Sequence, residues 1–134
     1  MGHCIYLMEQ KFCIKATNHP NVTEAIRALE GKETILDFEP HFWYIAPGQF
    51  RAAKNILELF TAWRWEVGFD NNGDIAHVQF IGEKLGDEDI LFEAIAPYIE
   101  SGSYIQVFDD DGRIWRWCFD EGRMSIKYAK ISFD

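Results

Sequence analysis

Glycine-containing turns between runs of alternating apolar and polar residues constrain this chain most strongly, because they predict antiparallel β-hairpins. Asn72-Gly73, or alternatively Asn71-Asn72, is typical of a tight hairpin turn, and Gly112 and Gly122 mark two more turns. The second half of the chain is therefore expected to contain five antiparallel strands. The predicted strands are residues 63–69, 75–81, 103–108, 113–119 and 124–128.

If each turn has an even length, the residues that face each other across the hairpins are fixed. In the first hairpin Trp65 then faces Phe80, and Val67 faces Val78. By the same rule Phe69 would face Ala76. The next two hairpins gather aromatic and apolar side chains on one face, which should be the core: Tyr104, Phe108, Trp115, Trp117, Phe119, Met124, Ile126 and Tyr128.

The opposite face of the predicted sheet is the candidate interaction face. It combines apolar residues with a charged rim, which is typical of an interaction surface. An external partner and a second copy of the chain are equally compatible with it. The candidate residues are Arg64, His77, Gln79, Ile105, Val107, Ile114, Arg116 and Lys127.

The first half of the chain is expected to supply one strand and two helices. Alternation over residues 11–16 predicts the strand, with residues 5–8 as a candidate extension. Residues 42–45 are either a short strand or a buried connection. A third helix should begin near Asp87 and end shortly after Pro97. The helices are predicted at residues 21–31, 49–61 and 87–99. This order indicates an α+β fold with a largely antiparallel sheet of five to six strands and three helices on one face.

Composition supports a single packed domain over residues 1–134, since 48% of the residues are hydrophobic and 16% are aromatic. The 13 Lys and Arg against 22 Asp and Glu give a net charge of -9, which disfavours direct binding to nucleic acid or anionic membranes. Three cysteines without a C-x-x-C pair, and an N-terminus without signal-peptide features, predict a soluble cytoplasmic protein.

Catalytic and metal-binding motifs are weak in this sequence. Asp109-Asp110-Asp111-Gly112 has some likeness to a calcium loop, but Val107 and Cys118 occupy positions where that loop needs ligands. The four histidines are dispersed, and Cys118 has no evident base and orienting group. No catalytic residue, metal or cofactor is therefore predicted.

Acidic residues form a second candidate surface, at the start of the third helix and at the turn before Gly112. Carboxylates near a helix N-terminus interact favourably with the helix dipole. The candidate acidic surface consists of Asp87, Glu88, Asp89, Asp109, Asp110 and Asp111.

Two turns share a partial repeat, Phe-Asp-x-x-Gly-x-Ile, which starts at Phe69 and again at Phe108. The flanking Trp-Arg-Trp triplets precede one turn and follow the other, so an internal duplication does not explain both similarities. We interpret the repeat as convergent hairpin chemistry.

Residues 102–105, Gly-Ser-Tyr-Ile, are followed by Gly112 and by Trp-Arg-Trp-Cys-Phe-Asp at 115–120. This pattern resembles a family of small proteins from bacteria, their phages and mobile elements, and the segments 63–66 and 82–87 also resemble it. The likeness extends over about residues 60–133. It implies an accessory protein of such a source and carries over no activity.

Charge and size favour a non-enzymatic protein-binding module that inhibits a basic, nucleic-acid-handling partner. Anti-CRISPR, anti-restriction and toxin-immunity proteins act in this way, and the carboxylates of a small acidic domain suit such a surface. The alternative is a small-ligand or enzymatic domain with a cleft between helix and sheet.

Overall fold

The computed structural model describes residues 4–32, 53–82, 87–130 and 132–133, which form helices and antiparallel strands. They confirm the predicted α+β class. The strands are β1 (Ile5–Lys11), β2 (Trp65–Phe69), β3 (Ile75–Phe80), β4 (Ser103–Asp109), β5 (Ile114–Asp120) and β6 (Arg123–Tyr128). The described helices are α1 (His19–Lys32), α2 (Ile56–Ala62) and α3 (Glu88–Ile95). Short 3-10 turns precede α1 at Ala16–Asn18 and follow α3 at Ala96–Tyr98.

The strands form two sheets instead of the single sheet that the sequence predicts. One has the order β1-β4-β5-β6, and the other pairs β2 with β3. Hydrogen bonds link the N-terminal segment to β3. The Gln10 side-chain amide donates to the Val78 carbonyl (2.8 Å) and accepts from its N–H (2.9 Å). Ile14 and Ile75 exchange two backbone hydrogen bonds of 2.9 Å.

The N-terminal strand lies earlier in the chain than its alternation indicates. It ends at Lys11, and Ile14 makes only an isolated bridge before Ala16 enters the 3-10 turn. Phe12 and Ile14 are nevertheless buried, so the pattern identified the correct core residues in an irregular segment.

The helices are confirmed with shifted boundaries. Helix α1 begins at His19, before the predicted start at residue 21. Residues 53–55 are not helical, because the Asn55 side chain caps α2 by accepting from the Glu58 N–H (2.9 Å). Leu59 faces the core from α2, whereas Leu57 is exposed. Residues 49–52 and 42–45 lie outside the described part of the chain.

The β2–β3 hairpin confirms two predicted pairs and corrects the third. Trp65 faces Phe80 and Val67 faces Val78, but Phe69 faces Ile75 instead of Ala76. The turn has three residues between the paired Asp70 and Asp74, an odd length, and a bulge in β3 restores the predicted pairing beyond it.

The β4–β5 hairpin uses the same odd turn without a compensating bulge, and this exchanges the two faces of β4. The Asp109 N–H donates to the Arg113 carbonyl (3.0 Å), and Gly112 adopts the left-handed conformation with φ 80°. Ile105 therefore faces Trp117, and Val107 faces Trp115.

Two candidate interaction residues are consequently core residues, since Ile105 and Val107 are both fully buried. Tyr104 and Phe108, which were predicted in the core, lie on the opposite face. The even turn at Glu121-Gly122 is as predicted, because Trp117 faces Ile126 and Phe119 faces Met124.

An aromatic cluster forms the core beneath α3. The ring centroids of Phe92 and Trp117 are 5.0 Å apart, and those of Trp65 and Trp117 are 6.2 Å apart. Trp117 also donates its indole N–H to Asp89 at the start of α3 (2.7 Å). Helix α3 thus covers the inner face of the four-stranded sheet.

We expect Ile105→Asp to unfold the protein, because it places an unpaired carboxylate in the aromatic core. Gln106→Asp is the matched control, because Gln106 is the next residue in β4 and its side chain points to the opposite face from Ile105. Thermal melts followed by circular dichroism measure both variants. A folded Ile105→Asp together with an unfolded Gln106→Asp would contradict the odd turn.

Candidate protein-binding face

The outer face of the four-stranded sheet lies opposite the aromatic core. Because the odd β4–β5 turn points Ile105 and Val107 inward, the alternate residues of β4 and their cross-strand neighbours point outward. We define the outer face as Tyr6, Met8, Glu9, Lys11, Tyr104, Gln106, Phe108, Ile114, Arg116, Cys118, Asp120, Arg123, Ser125 and Lys127.

Large apolar side chains are exposed on the β1–β4 half of the outer face. Tyr6 is 48% exposed, Met8 47% and Phe108 36%. The rings of Tyr6 and Phe108 stack with centroids 5.0 Å apart. These neighbours therefore form one aromatic patch.

Arg116 is held in position at the centre of the outer face. Its guanidinium carbon lies 4.4 Å from the centroid of the Tyr104 ring, and its Nε donates to the Gln106 Oε1 (2.7 Å). The Tyr104 hydroxyl donates in turn to the Glu9 carboxylate (2.6 Å). That hydrogen bond raises the pKa of Tyr104, so the hydroxyl keeps its proton at neutral pH.

The structure divides the eight predicted interaction residues among separate places. Ile114, Arg116 and Lys127 lie on the outer face, whereas Ile105 and Val107 are buried. His77 and Gln79 are exposed on the separate β2–β3 sheet, and Arg64 lies just before β2. The predicted set is therefore not one surface.

Arg64 has a structural role between β2 and α3. Its Nη2 donates to the Glu88 carboxylate (2.9 Å), and its guanidinium carbon lies 5.0 Å from the centroid of the Phe80 ring. Glu88 is fully buried in the first turn of α3. Removing the arginine would take this partner away from the buried Glu88 carboxylate, which is destabilising. Arg64 therefore anchors the helix to the β2–β3 sheet.

The predicted acidic surface is also divided. Glu88 and Asp109 are buried in ion pairs with Arg64 and Arg113. Two exposed carboxylates make internal hydrogen bonds, Asp89 with Trp117 and Asp110 with the Tyr6 hydroxyl (3.3 Å). Asp87 precedes the first turn of α3, and Asp111 is exposed in the β4–β5 turn.

Asp109 organises the β4–β5 turn through both of its carboxylate oxygens. Oδ1 accepts from the N–H groups of Asp111 (3.0 Å) and Arg113 (2.9 Å), and Oδ2 accepts from the Arg113 Nε (2.8 Å). Burial acts to raise the pKa of Asp109, but these hydrogen bonds and the Arg113 charge together leave it below its usual value. The carboxylate is therefore ionised in the folded protein at neutral pH.

We expect Asp109→Asn to lower the Tm by several degrees at neutral pH, because the amide N–H₂ would face the Arg113 donor. The folded-state pKa lies below the ordinary 3.8, so the carboxylate stabilises the fold above that pH and loses its effect as pH falls through the folded-state value. Thermal melts from neutral pH down to about pH 3 should show the two Tm values converging in acid. Asp120→Asn, an exposed carboxylate, should have little effect, and a constant Tm difference would contradict this role for Asp109.

Several outer-face residues were missed by the sequence analysis. The wrong turn length placed Tyr104 and Phe108 in the core, and Tyr6 and Met8 were read only as a possible extension of β1. The repeated Phe-Asp-x-x-Gly-x-Ile pattern was the available signal, since both copies form the same three-residue turn with Gly73 and Gly112 at φ 80°.

A groove of about 400 Å³ lies at the β5–β6 edge of the outer face. Gln106, Ile114, Arg116, Lys127 and Lys130 are among its lining residues.

No group of three His, Cys, Asp or Glu side chains within the described ranges is arranged to hold a metal ion. None of the helices in those ranges has the length and apolar character needed to span a membrane.

Comparison of the chain with protein-family models, curated proteins and solved structures finds no match.

Proposed function

We propose that this chain is a non-enzymatic protein-binding module and that the outer face is its contact surface. The observation that carries the proposal is the exposed aromatic patch of Tyr6 and Phe108 beside the Arg116 guanidinium stacked on Tyr104. Tyrosine and arginine are the residue types that contribute most binding energy at protein interfaces.

The hydrogen bonds within the outer face support the same proposal. Glu9 fixes Tyr104, and Gln106 fixes Arg116, so these side chains are ordered before any partner arrives. Binding then requires less loss of side-chain entropy, which favours affinity. A partner with a complementary apolar and hydrogen-bonding surface fits this arrangement.

An inhibitor of the anti-CRISPR, anti-restriction or toxin-immunity type is the form of this function that size and charge favour. Such a protein acts by occupying a surface on its target, and this requires no catalytic group. The net charge of -9 supports a second candidate contact, in which exposed carboxylates such as Asp111 meet a basic, nucleic-acid-handling partner. The outer face is our first choice because its side chains are preorganised.

A photo-crosslinking amino acid at position 108, in cells of the native source, tests the proposed surface. The same substitution at Leu57 is the matched control, because that side chain is 42% exposed on α2. We expect a crosslinked partner from position 108 and none from position 57. Phe108→Ser should then weaken binding of the purified partner about tenfold, and Leu57→Ser should not.

Equal crosslinking from both positions, or unchanged affinity of Phe108→Ser, would refute the proposed surface. A crosslink to a second copy of the chain would show that the outer face forms a homodimer instead of binding an external partner. Enzymatic turnover that survives Phe108→Ser would favour the alternative of a small-ligand or enzymatic domain.

A further inference from the structure

We propose that the groove on the β5–β6 edge of the outer face binds a short acidic segment of a partner protein in extended conformation. This inference rests on the proposed function and specifies the chemistry of one segment of the partner, separate from the basic surface that the exposed carboxylates would meet. It is carried by the charges that line the groove.

Three cations converge on the groove in a chain that is rich in acidic residues. Arg116, Lys127 and Lys130 line it, and no described carboxylate does so. Within the described part of the chain none of the three forms an ion pair. Since the chain holds 22 acidic and 13 basic residues, this group of unpaired cations is locally opposite to the overall charge.

Arg116 and Lys127 stand directly opposite each other on β5 and β6. Like charges in such cross-strand positions destabilise a sheet, whereas opposite charges stabilise it. A carboxylate at either position would therefore suit the sheet better. The two cations are explained if a bound anion offsets their repulsion.

The position of Arg116 fits a carboxylate ligand. Its Nε is already used by Gln106 and its planar face by Tyr104, so the two Nη groups remain for a bidentate contact. Within the described ranges they have no protein acceptor.

A short acidic peptide suits the groove better than a nucleic acid. The net charge of -9 repels a long polyanion, but a few carboxylates can be neutralised locally by three cations. The groove of about 400 Å³ is also lined by residues of β6, which is at the edge of its sheet among the described strands. An extended peptide can lie along such an edge and point alternate side chains toward the cations.

Titration of the purified full chain with a capped five-residue peptide, in which Glu alternates with aromatic residues, tests the proposal. A peptide with Gln in place of each Glu and a single-stranded oligothymidine are the comparison ligands. NMR of backbone amides should show shifts at Arg116 and Lys127 for the acidic peptide only. The shifts should weaken as salt rises, because surface charges are screened.

Charge variants separate a local effect from a general one. Lys127→Gln should weaken acidic-peptide binding by about two- to fivefold, while Lys54→Gln, which changes the net charge equally, should not. Lys127→Glu should abolish the binding and raise the Tm, since it pairs with Arg116 across the strands.

Equal weakening by Lys127→Gln and Lys54→Gln, or shifts outside the groove, would overturn the proposal. Binding of oligothymidine in preference to the acidic peptide would assign the groove to nucleic acid instead. If crosslinking from position 108 succeeds while the peptide does not bind, only this inference fails. If the peptide binds and no partner crosslinks at 108, the groove stands and the wider protein-binding face fails.

Discussion

The carboxylate of Asp109 holds the turn that determines which side chains of β4 face the core. Its three hydrogen bonds close a turn of odd length, and that length decides whether Ile105 or Tyr104 faces the core. With Ile105 and Val107 inside, the sheet packs its aliphatic residues against Trp115 and Trp117. Tyr104, Phe108 and Arg116 then lie on the outer face.

The inner face depends on a different set of contacts. Trp117 lies among aromatic rings from β2 and α3, and its indole N–H is satisfied by Asp89. The buried pair of Arg64 and Glu88 holds the same helix to the start of β2. Asp89 and Glu88, which were predicted to belong to an acidic surface, thus help to fix α3 over the core.

Much of the fold follows from local sequence signals, but the site does not. The segments predicted as helices contain buried residues such as Val22, Ile26 and Leu91, because helix packing requires one apolar stripe. Turn glycines located the hairpins for the same kind of local reason. The side of a strand that faces the core depends instead on whether a turn has an odd or an even number of residues, and one residue changes every side chain.

The first hairpin shows why this error is hard to detect from sequence. Its turn is also odd, yet a bulge restores the pairing of Trp65 with Phe80, so the even-turn prediction succeeded there for the wrong reason. The bulge brings Ile75 to its bridge with Ile14, a contact between residues far apart in the chain. Local patterns contain no information on such a contact. They also could not show that Gln10 would bond to β3 through its side chain.

That bond has a consequence for how the molecule can change over evolutionary time. Elsewhere in the sheets neighbouring strands are held by main-chain groups, which almost every residue supplies, whereas Gln10 joins β1 to Val78 through a side-chain amide. One residue position therefore determines part of the attachment between the two sheets. Substitution there alters their coupling and leaves the strands of each sheet, including the outer face, with their own hydrogen bonds intact.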